Sequence, residues 1–261
     1  MLSLADDTLV LAATDLTNHL ACAHLTQQRL AVARGERSKP RPADDPHGDL
    51  IRRRGEEHER EQLDRLSAEC GGYVDISIES APRSREELEA AAEATATAMR
   101  DGAPLIYQGQ FFDGRWQGRT DFLWRVPVAS QLGSHSYEVL DTKLARQVKP
   151  SVVHQLSLYS RLLGKVQGLE PEIAHVVLGD GSSVAVELRR YAALNRHASR
   201  RLERVVEAPA QATYPDPVTH CAICALASEC RERRIRDDHL SLVAGARRDH
   251  REQLVERTRP N

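Results

Sequence analysis

No run of eighteen or more apolar residues occurs in this 261-residue chain, which leaves no candidate for an ordinary membrane-crossing helix. The amino terminus, MLSLADDTLVLAATDL, lacks the basic region and small-residue cleavage site of a secretory signal, so the sequence reads as cytoplasmic. Sulfur is scarce, with two methionines and five cysteines. An odd cysteine count with three of the five clustered argues against a disulfide framework, which a reducing compartment would disfavour in any case. There is no internal repeat and no low-complexity tract. A large charge excess is missing too. Lys and Arg total 36 against 38 Asp and Glu, a formal charge of −2 that argues against a globally basic nucleic-acid coat. Basic residues bunch only locally, in IRRRG (Arg52, Arg53, Arg54) and CRERRIR (Arg231, Arg233, Arg234, Arg236).

What is present is a globular composition, 41% hydrophobic, patterned as α/β. ATDLTNHLACAHLTQQRLAVA carries Leu16, Leu20, Leu25 and Leu30 at helical spacing behind Asp15 as N-cap. Residues 33–49, rich in proline and charge, read as a linker, and DLIRRRGEEHEREQLDRLSAEC reads as a helix running to a Gly71-Gly72 stop. YVDISIES alternates like a strand, and Ser84 with Glu87 forms a capping box before an alanine-rich helix. LIYQGQFF and RWQGRTDFLWRV flank Asp113-Gly114 as two hairpin strands, and SYEVLDTKL makes a third. KPSVVHQLSLYSRLLGKVQG is helical, EIAHVVLGDGSSVAVELRR is a second hairpin, and helices dominate from about residue 191, with RIRDDHLSLVAGARRDHREQLVERT read as helix.

Asp121 lies in the second strand of the first hairpin, and Asp141 and Lys143, at i and i+2 of the next, project from one strand face. Two carboxylates and a lysine in one pocket suit phosphodiester hydrolysis. A divalent cation held by the carboxylates would polarise the phosphoryl oxygen and acidify a water, and the ammonium would stabilise developing charge. Glu138 has odd spacing from Asp141 and falls on the opposite face.

The ordered set of His58 in RGEEHE, Asp121 in GRTDF, Asp141 and Lys143 in EVLDTK, and Gln155 with Tyr159 in QLSLY resembles the RecB-like branch of the PD-(D/E)xK nuclease superfamily. The resemblance implies a restriction-endonuclease-like fold, a central mixed sheet with flanking helices. It further implies that His58, Asp121 and Asp141 bind Mg²⁺ or Mn²⁺, assisted by the Thr142 carbonyl. Lys143 would position or activate the water, with Gln155 and Tyr159 on the helix beside the site. The second acidic position is Asp where many relatives have Glu; both are hard oxygen donors. By itself, His58 among Glu56, Glu57, Glu59 and Glu61 also reads as an exposed helix histidine making local ion pairs.

The segment HCAICALASEC brings Cys221, Cys224 and Cys230 within ten positions, a spacing suited to a thiophilic metal. A fourth ligand is needed, and Cys22, in the first helix, is the natural choice. The arrangement resembles the iron–sulfur subset of RecB-like nucleases, which includes the AddB nuclease domain and CRISPR-associated RecB-like exonucleases. That resemblance implies a [4Fe–4S] cluster on Cys22, Cys221, Cys224 and Cys230, stapling the helical amino- and carboxyl-terminal segments together. Zinc is the alternative, because His24, His220 and His239 lie near these cysteines and Cys₃His is a common zinc set. Cys70 reads as an idle thiol.

The expected organisation is a RecB-like nuclease domain over residues 1–245, followed by a helical tail over residues 246–261. The expected activity is metal-dependent DNA cleavage, as an exonuclease on single-stranded or frayed ends in repair or recombination. Arg119, Arg146, Lys149 and the arginines after Cys230 are the expected phosphate contacts. The chain is expected to be a stand-alone or truncated version, or to have a helicase partner on a separate polypeptide. The rival expectation is a non-catalytic nucleic-acid-binding or scaffold module serving such a helicase. Clustered carboxylates without a cation have no use on a phosphate-binding surface, which speaks against it.

Overall fold

A computed structural model describes residues 1–40, 45–245, 249, 250 and 253. The expected 246–261 tail therefore falls almost wholly outside the described residues, as do residues 41–44 of the expected linker. The chain divides into two compact units, one formed by Met1–Thr17 with Asp45–Glu207, the other by Asn18–Asp44 with Ala208–Asn261. Seven α-helices and a six-stranded mixed sheet occur among the described residues, an α/β protein. No helix among them is long and apolar enough to cross a membrane.

The first unit is built on the sheet. Its strands are β3 (Val74–Asp75), β4 (Leu105–Tyr107), β7 (Phe122–Val126), β8 (Ser136–Lys143), β9 (Ile173–Leu178) and β10 (Ser183–Glu187), ordered β10-β9-β8-β7-β4-β3. The β3/β4 and β8/β9 pairs are parallel and the others antiparallel. Two further pairs stand apart from it, β1 (Leu2–Ser3) with β2 (Leu9–Val10), and β5 (Gln110–Phe112) with β6 (Gln117–Arg119). β3 is shorter than YVDISIES suggests. The Ile76 amide still donates to the Tyr107 carbonyl at 3.0 Å, and the Asp75 carboxylate then accepts from the Ser77 amide at 2.7 Å, a local turn that ends the pairing.

The first hairpin differs from its expected form in an informative way. Each long run is interrupted, β4 giving way to β5 and β6 to β7, yet the pairing register never slips: Tyr107 faces Phe122 and Gln110 faces Arg119. Backbone bonds carry the ladder through the gap, from Gln108 N to Asp121 O at 2.8 Å and from Thr120 N to Gly109 O at 2.9 Å. Gln108 adopts φ +57°, a left-handed conformation that turns the ribbon sharply. Asp121 is thus at the bend and outside the strand to which the sequence pattern assigns it.

Helix α3 (Pro46–Cys70) starts four residues inside the expected linker. The Asp45 carboxylate accepts from the Gly48 amide at 2.9 Å, Pro46 occupies the first turn, and Gly71 at φ +78° ends the helix as expected. Leu66, with Leu63 and Cys70 beside it, packs on the sheet face made by Leu105, Phe122, Leu140 and Val177. α5 (Pro150–Gln167) reaches the residues that alternate with these, so it lies against the other face. α4 (Arg85–Arg100) begins at Ser84, whose hydroxyl accepts from the Glu87 amide at 3.2 Å, while the Glu87 carboxylate takes the Arg83 amide. α6 (Ala192–Glu207) closes the unit. Asp15 is within the first turn of α1 (Ala13–Ala21) and not at its cap; its carboxylate still takes the Ala12 amide at 3.0 Å.

The second unit joins α2 (Ala23–Ala33) to the carboxyl-terminal segment carrying α7 (Ala227–Arg236). Bonds between pieces nearly two hundred positions apart hold it: His24 Nδ1 lies 2.8 Å from Thr213 Oγ1, the Gln211 amide donates to the Gln27 side chain at 3.3 Å, and Arg37 pairs with Glu229. The single helix expected over residues 13–33 is broken at Cys22, which is extended (φ −158°, ψ 115°) and caps α2 through its sulfur. α7 also ends earlier than expected, at Asp237, where Asp238 turns left-handed at φ +45°.

Candidate functional site

The β7/β8 register pairs Phe122 with Leu140, so one step further along the ladder sets Asp121 opposite Asp141. Like charges directly opposite on neighbouring strands repel, and here the contact is buried: Asp141 has no exposed surface. Asp121 is clamped by β8 itself, its Oδ2 accepting from Thr142 N at 2.7 Å and Thr142 Oγ1 at 2.9 Å. Those two bonds hold one oxygen of Asp121 fixed against the strand that carries Asp141 and Lys143.

Burial pushes the Asp141 carboxyl well above the ordinary range, and the Asp121 charge beside it pushes further; Lys143 opposes both. Lys143, two residues on and on the same face, brings Nζ to 2.5 Å from Asp141 Oδ2. This buried ion pair is the contact that Asp141 Oδ2 makes with the ammonium. Burial lowers the proton affinity of Lys143, but Asp141, Asp121 and Glu59 together outweigh it and hold the ammonium above its usual value.

Gln155 and Tyr159 join the group from α5, one helical turn apart. Gln155 Nε2 lies 3.4 Å from Asp141 Oδ1 and 3.3 Å from the Tyr159 hydroxyl. The Tyr159 ring lies so close to β6 that a Cβ on Gly118 would come within 2.7 Å of it. Burial, with the Asp141 charge, pushes its hydroxyl up to about 12, so it stays protonated. Gln155 thus links the Tyr159 hydroxyl to Asp141.

His58 is buried at 8% exposure, in a stripe with Gln62 and Leu66 on α3, which rules out an exposed histidine making local ion pairs. Its Nε2 has no hydrogen-bond partner among the described residues. A buried imidazole nitrogen without a hydrogen-bond partner is a costly feature unless something electropositive satisfies it. The set of one imidazole and two carboxylates expected from the resemblance is of the type that suits Mg²⁺ or Mn²⁺. Among the described residues, no group of three or more His, Cys, Asp or Glu side chains is already arranged to hold a metal ion.

Glu59 is the residue that sequence reasoning overlooked. Its carboxylate is hydrogen-bonded by the Gln108 amide and the Tyr107 hydroxyl, and burial, followed by the Asp121 charge, raises its proton affinity. The signal was available: Glu59, Leu63, Leu66 and Cys70 fall at i, i+4, i+7 and i+11, an acid continuing an apolar stripe. Of the expected phosphate contacts, Arg119, Arg146 and Lys149 are all exposed. Arg119 lies within electrostatic reach of Glu59, and Arg146 within reach of Asp180. The arginines after Cys230 are partly committed elsewhere: Arg234 is buried and donates to the Pro215 carbonyl at 2.8 Å, and Arg233 pairs with Asp237.

Within the second unit, Cys22, Cys221, Cys224 and Cys230 line one small cavity, together with His24 and His220. Three of the sulfurs already accept backbone amides: Cys22 from Leu25 at 3.4 Å, Cys221 from Val218 at 3.4 Å, and Cys224 from Leu226 at 3.5 Å. Amides aimed at sulfur stabilise thiolates, the form in which cysteine binds metal. Burial, then the Cys224 thiol, raises Cys230 to about 11, with Cys221 and Cys22 adding to the effect. Four thiols lining one cavity, three of them accepting backbone amides, are a donor set of the type that suits a thiophilic centre. His239 is absent from the cavity lining and is stacked on Tyr214. Cys70 packs against the sheet core of the first unit.

No family model matches the sequence, and no curated protein is significantly similar to it.

Proposed function

We propose that this protein is a Mg²⁺- or Mn²⁺-dependent deoxyribonuclease of the RecB-like PD-(D/E)xK type, acting on single-stranded or frayed DNA. The observation that carries the reading is the buried pairing of Asp121 with Asp141 beside Lys143, an arrangement that stores repulsion and is relieved by a cation. His58, Asp121 and Asp141 would hold the ion, with the Thr142 carbonyl as the further donor that the resemblance implies. When bound, the ion supplies Lewis acidity toward a phosphoryl oxygen and lowers the pKa of a water.

The side chains of the chain divide the remaining work. Thr142 fixes Asp121 by two hydrogen bonds, so its carboxylate cannot swing away. Gln155 orients Asp141, and the Tyr159 hydroxyl orients the Gln155 amide. Lys143 stays protonated, and its ammonium is available to stabilise the charge that develops on the phosphoryl oxygens. In the second unit the four cysteines would hold a [4Fe–4S] cluster, whose role is to staple α2 to the carboxyl-terminal segment.

The test is cleavage of end-labelled single-stranded and duplex DNA with Mg²⁺, Mn²⁺ or EDTA. Metal-dependent loss of label length by the wild type, absent from Asp141→Ala, is expected. A wild type inert toward every DNA form under both metals would overturn the reading.

A further inference from the structure

We infer that the outer face of α6 is a track for the phosphates of an extended DNA single strand. The inference rests on the nuclease reading for the identity of the strand, and on the following features of α6 for its location.

Arg196, Arg200 and Arg204 stand at i, i+4 and i+8 of α6, all exposed, and with Ala193 and His197 they line an open groove along the helix. Successive members are separated by about 6 Å of helical rise, comparable to the distance between neighbouring phosphates of a stretched strand. Like charges at this spacing destabilise a helix, so a row of three asks for a reason outside the helix. Four exposed arginines on other helices are paired, Arg52 with Asp49, Arg54 with Glu57, Arg65 with Glu69, and Arg100 with Glu93.

None of the three has a carboxylate partner among the described residues, although two acids share the groove. Those acids are engaged elsewhere. Glu203 accepts the Trp116 indole N–H at 2.6 Å, and Glu207 pairs with Arg115 at 3.0 Å. The row thus faces outward with no carboxylate paired to it among the described residues. A single file of cations suits one phosphate chain better than a duplex, whose two backbones wind around the axis.

α6 is fixed on α5. Asn195, the neighbour of Arg196, donates to Ser157 Oγ at 2.9 Å and lies 2.5 Å from His154 Nδ1. Both partners flank Gln155 on α5, the residue that reaches Asp141. The arginine row therefore rides on a helix packed on the side of α5 turned away from Gln155 and Tyr159.

The experiment is fluorescence anisotropy of a labelled oligothymidylate in EDTA, across a series of KCl concentrations. The wild type is compared with the Arg196→Gln, Arg200→Gln, Arg204→Gln triple variant, and circular dichroism checks that α6 persists. Each phosphate contact contributes about 0.7 to the log–log salt slope for single strands, so the triple variant should lose about 2 units of slope. Its affinity in low salt should fall at least tenfold. An Arg83→Gln, Arg85→Gln, Arg100→Gln variant removes equal charge from α4 and its approach, and should change the slope by less than one unit. An unchanged slope in the α6 variant, an equal loss in the α4 variant, or tighter binding to a blunt duplex than to the oligothymidylate would overturn the track. Because EDTA prevents cleavage, track-dependent binding by a protein inert with Mg²⁺ and Mn²⁺ would fell the nuclease reading alone.

Discussion

Asp121 and Asp141 face each other across the β7/β8 ladder at the point where the β4–β7 hairpin bends, and Thr142 ties the first to the strand of the second. The bend is what frees Asp121 to turn inward, since Gln108 at φ +57° redirects the ribbon while its backbone amide holds the Asp121 carbonyl. Had the two carboxylates fallen on opposite sheet faces, a shared cation would have been impossible.

The cost of this pairing should be measurable without substrate. The raised carboxyl of Asp141 means that the folded protein binds that proton more tightly than the unfolded chain. The penalty for ionising it is therefore absent below about pH 4 and grows as pH rises through the folded value. Asp141→Asn should stabilise the metal-free protein at pH 8, by about 2–4 °C in Tm for each kcal/mol relieved, with the gain vanishing toward pH 4. Thermal melts in EDTA at the two pH values measure this, and equal or lower stability at pH 8 would contradict it.

Lys143 is assigned to charge stabilisation and not to holding the cation. Lys143→Met should accordingly lower kcat by about 10²–10³. Mn²⁺ binding should be retained or tightened, because the ammonium no longer competes for Asp141 Oδ2. Loss of metal binding in that variant, with kcat scaling to the bound fraction, would show that the lysine organises the site instead.

The cysteine cavity predicts colour. Anaerobically purified protein should be brown, with broad absorption toward the blue and about four irons per chain. Cys22→Ser should bleach it and lower the stability of the second unit. Stoichiometric zinc in place of iron would keep the cavity as a metal site but replace the cluster. Retention of all metal by Cys22→Ser would remove Cys22 from the ligand set.

Much of this was legible in the sequence because it depends on local period. The Asp141-x-Lys143 alternation, the Gln155/Tyr159 helical pair, the Gly71 stop and the Ser84 cap each follow from spacing within one element. The bend at Gln108 escaped because a left-handed glutamine has no compositional mark, unlike a glycine. The break at Cys22 escaped for a related reason: an alanine- and leucine-rich run has high helix propensity throughout, and only the sulfur's bond to the Leu25 amide interrupts it. Glu59 was read as one charge in an acidic run, although its position on the apolar stripe marked it apart.

Calorimetric titration of Mn²⁺ into the protein, side by side with Asp121→Asn, Asp141→Asn and His58→Ala variants checked for folding, tests the central claim most directly. The account predicts saturable binding near the carboxylates that either aspartate substitution abolishes and His58→Ala weakens by about 10–100-fold, as expected for loss of one donor to the ion. Binding of Mn²⁺ with equal affinity to the wild type and both asparagine variants would contradict it.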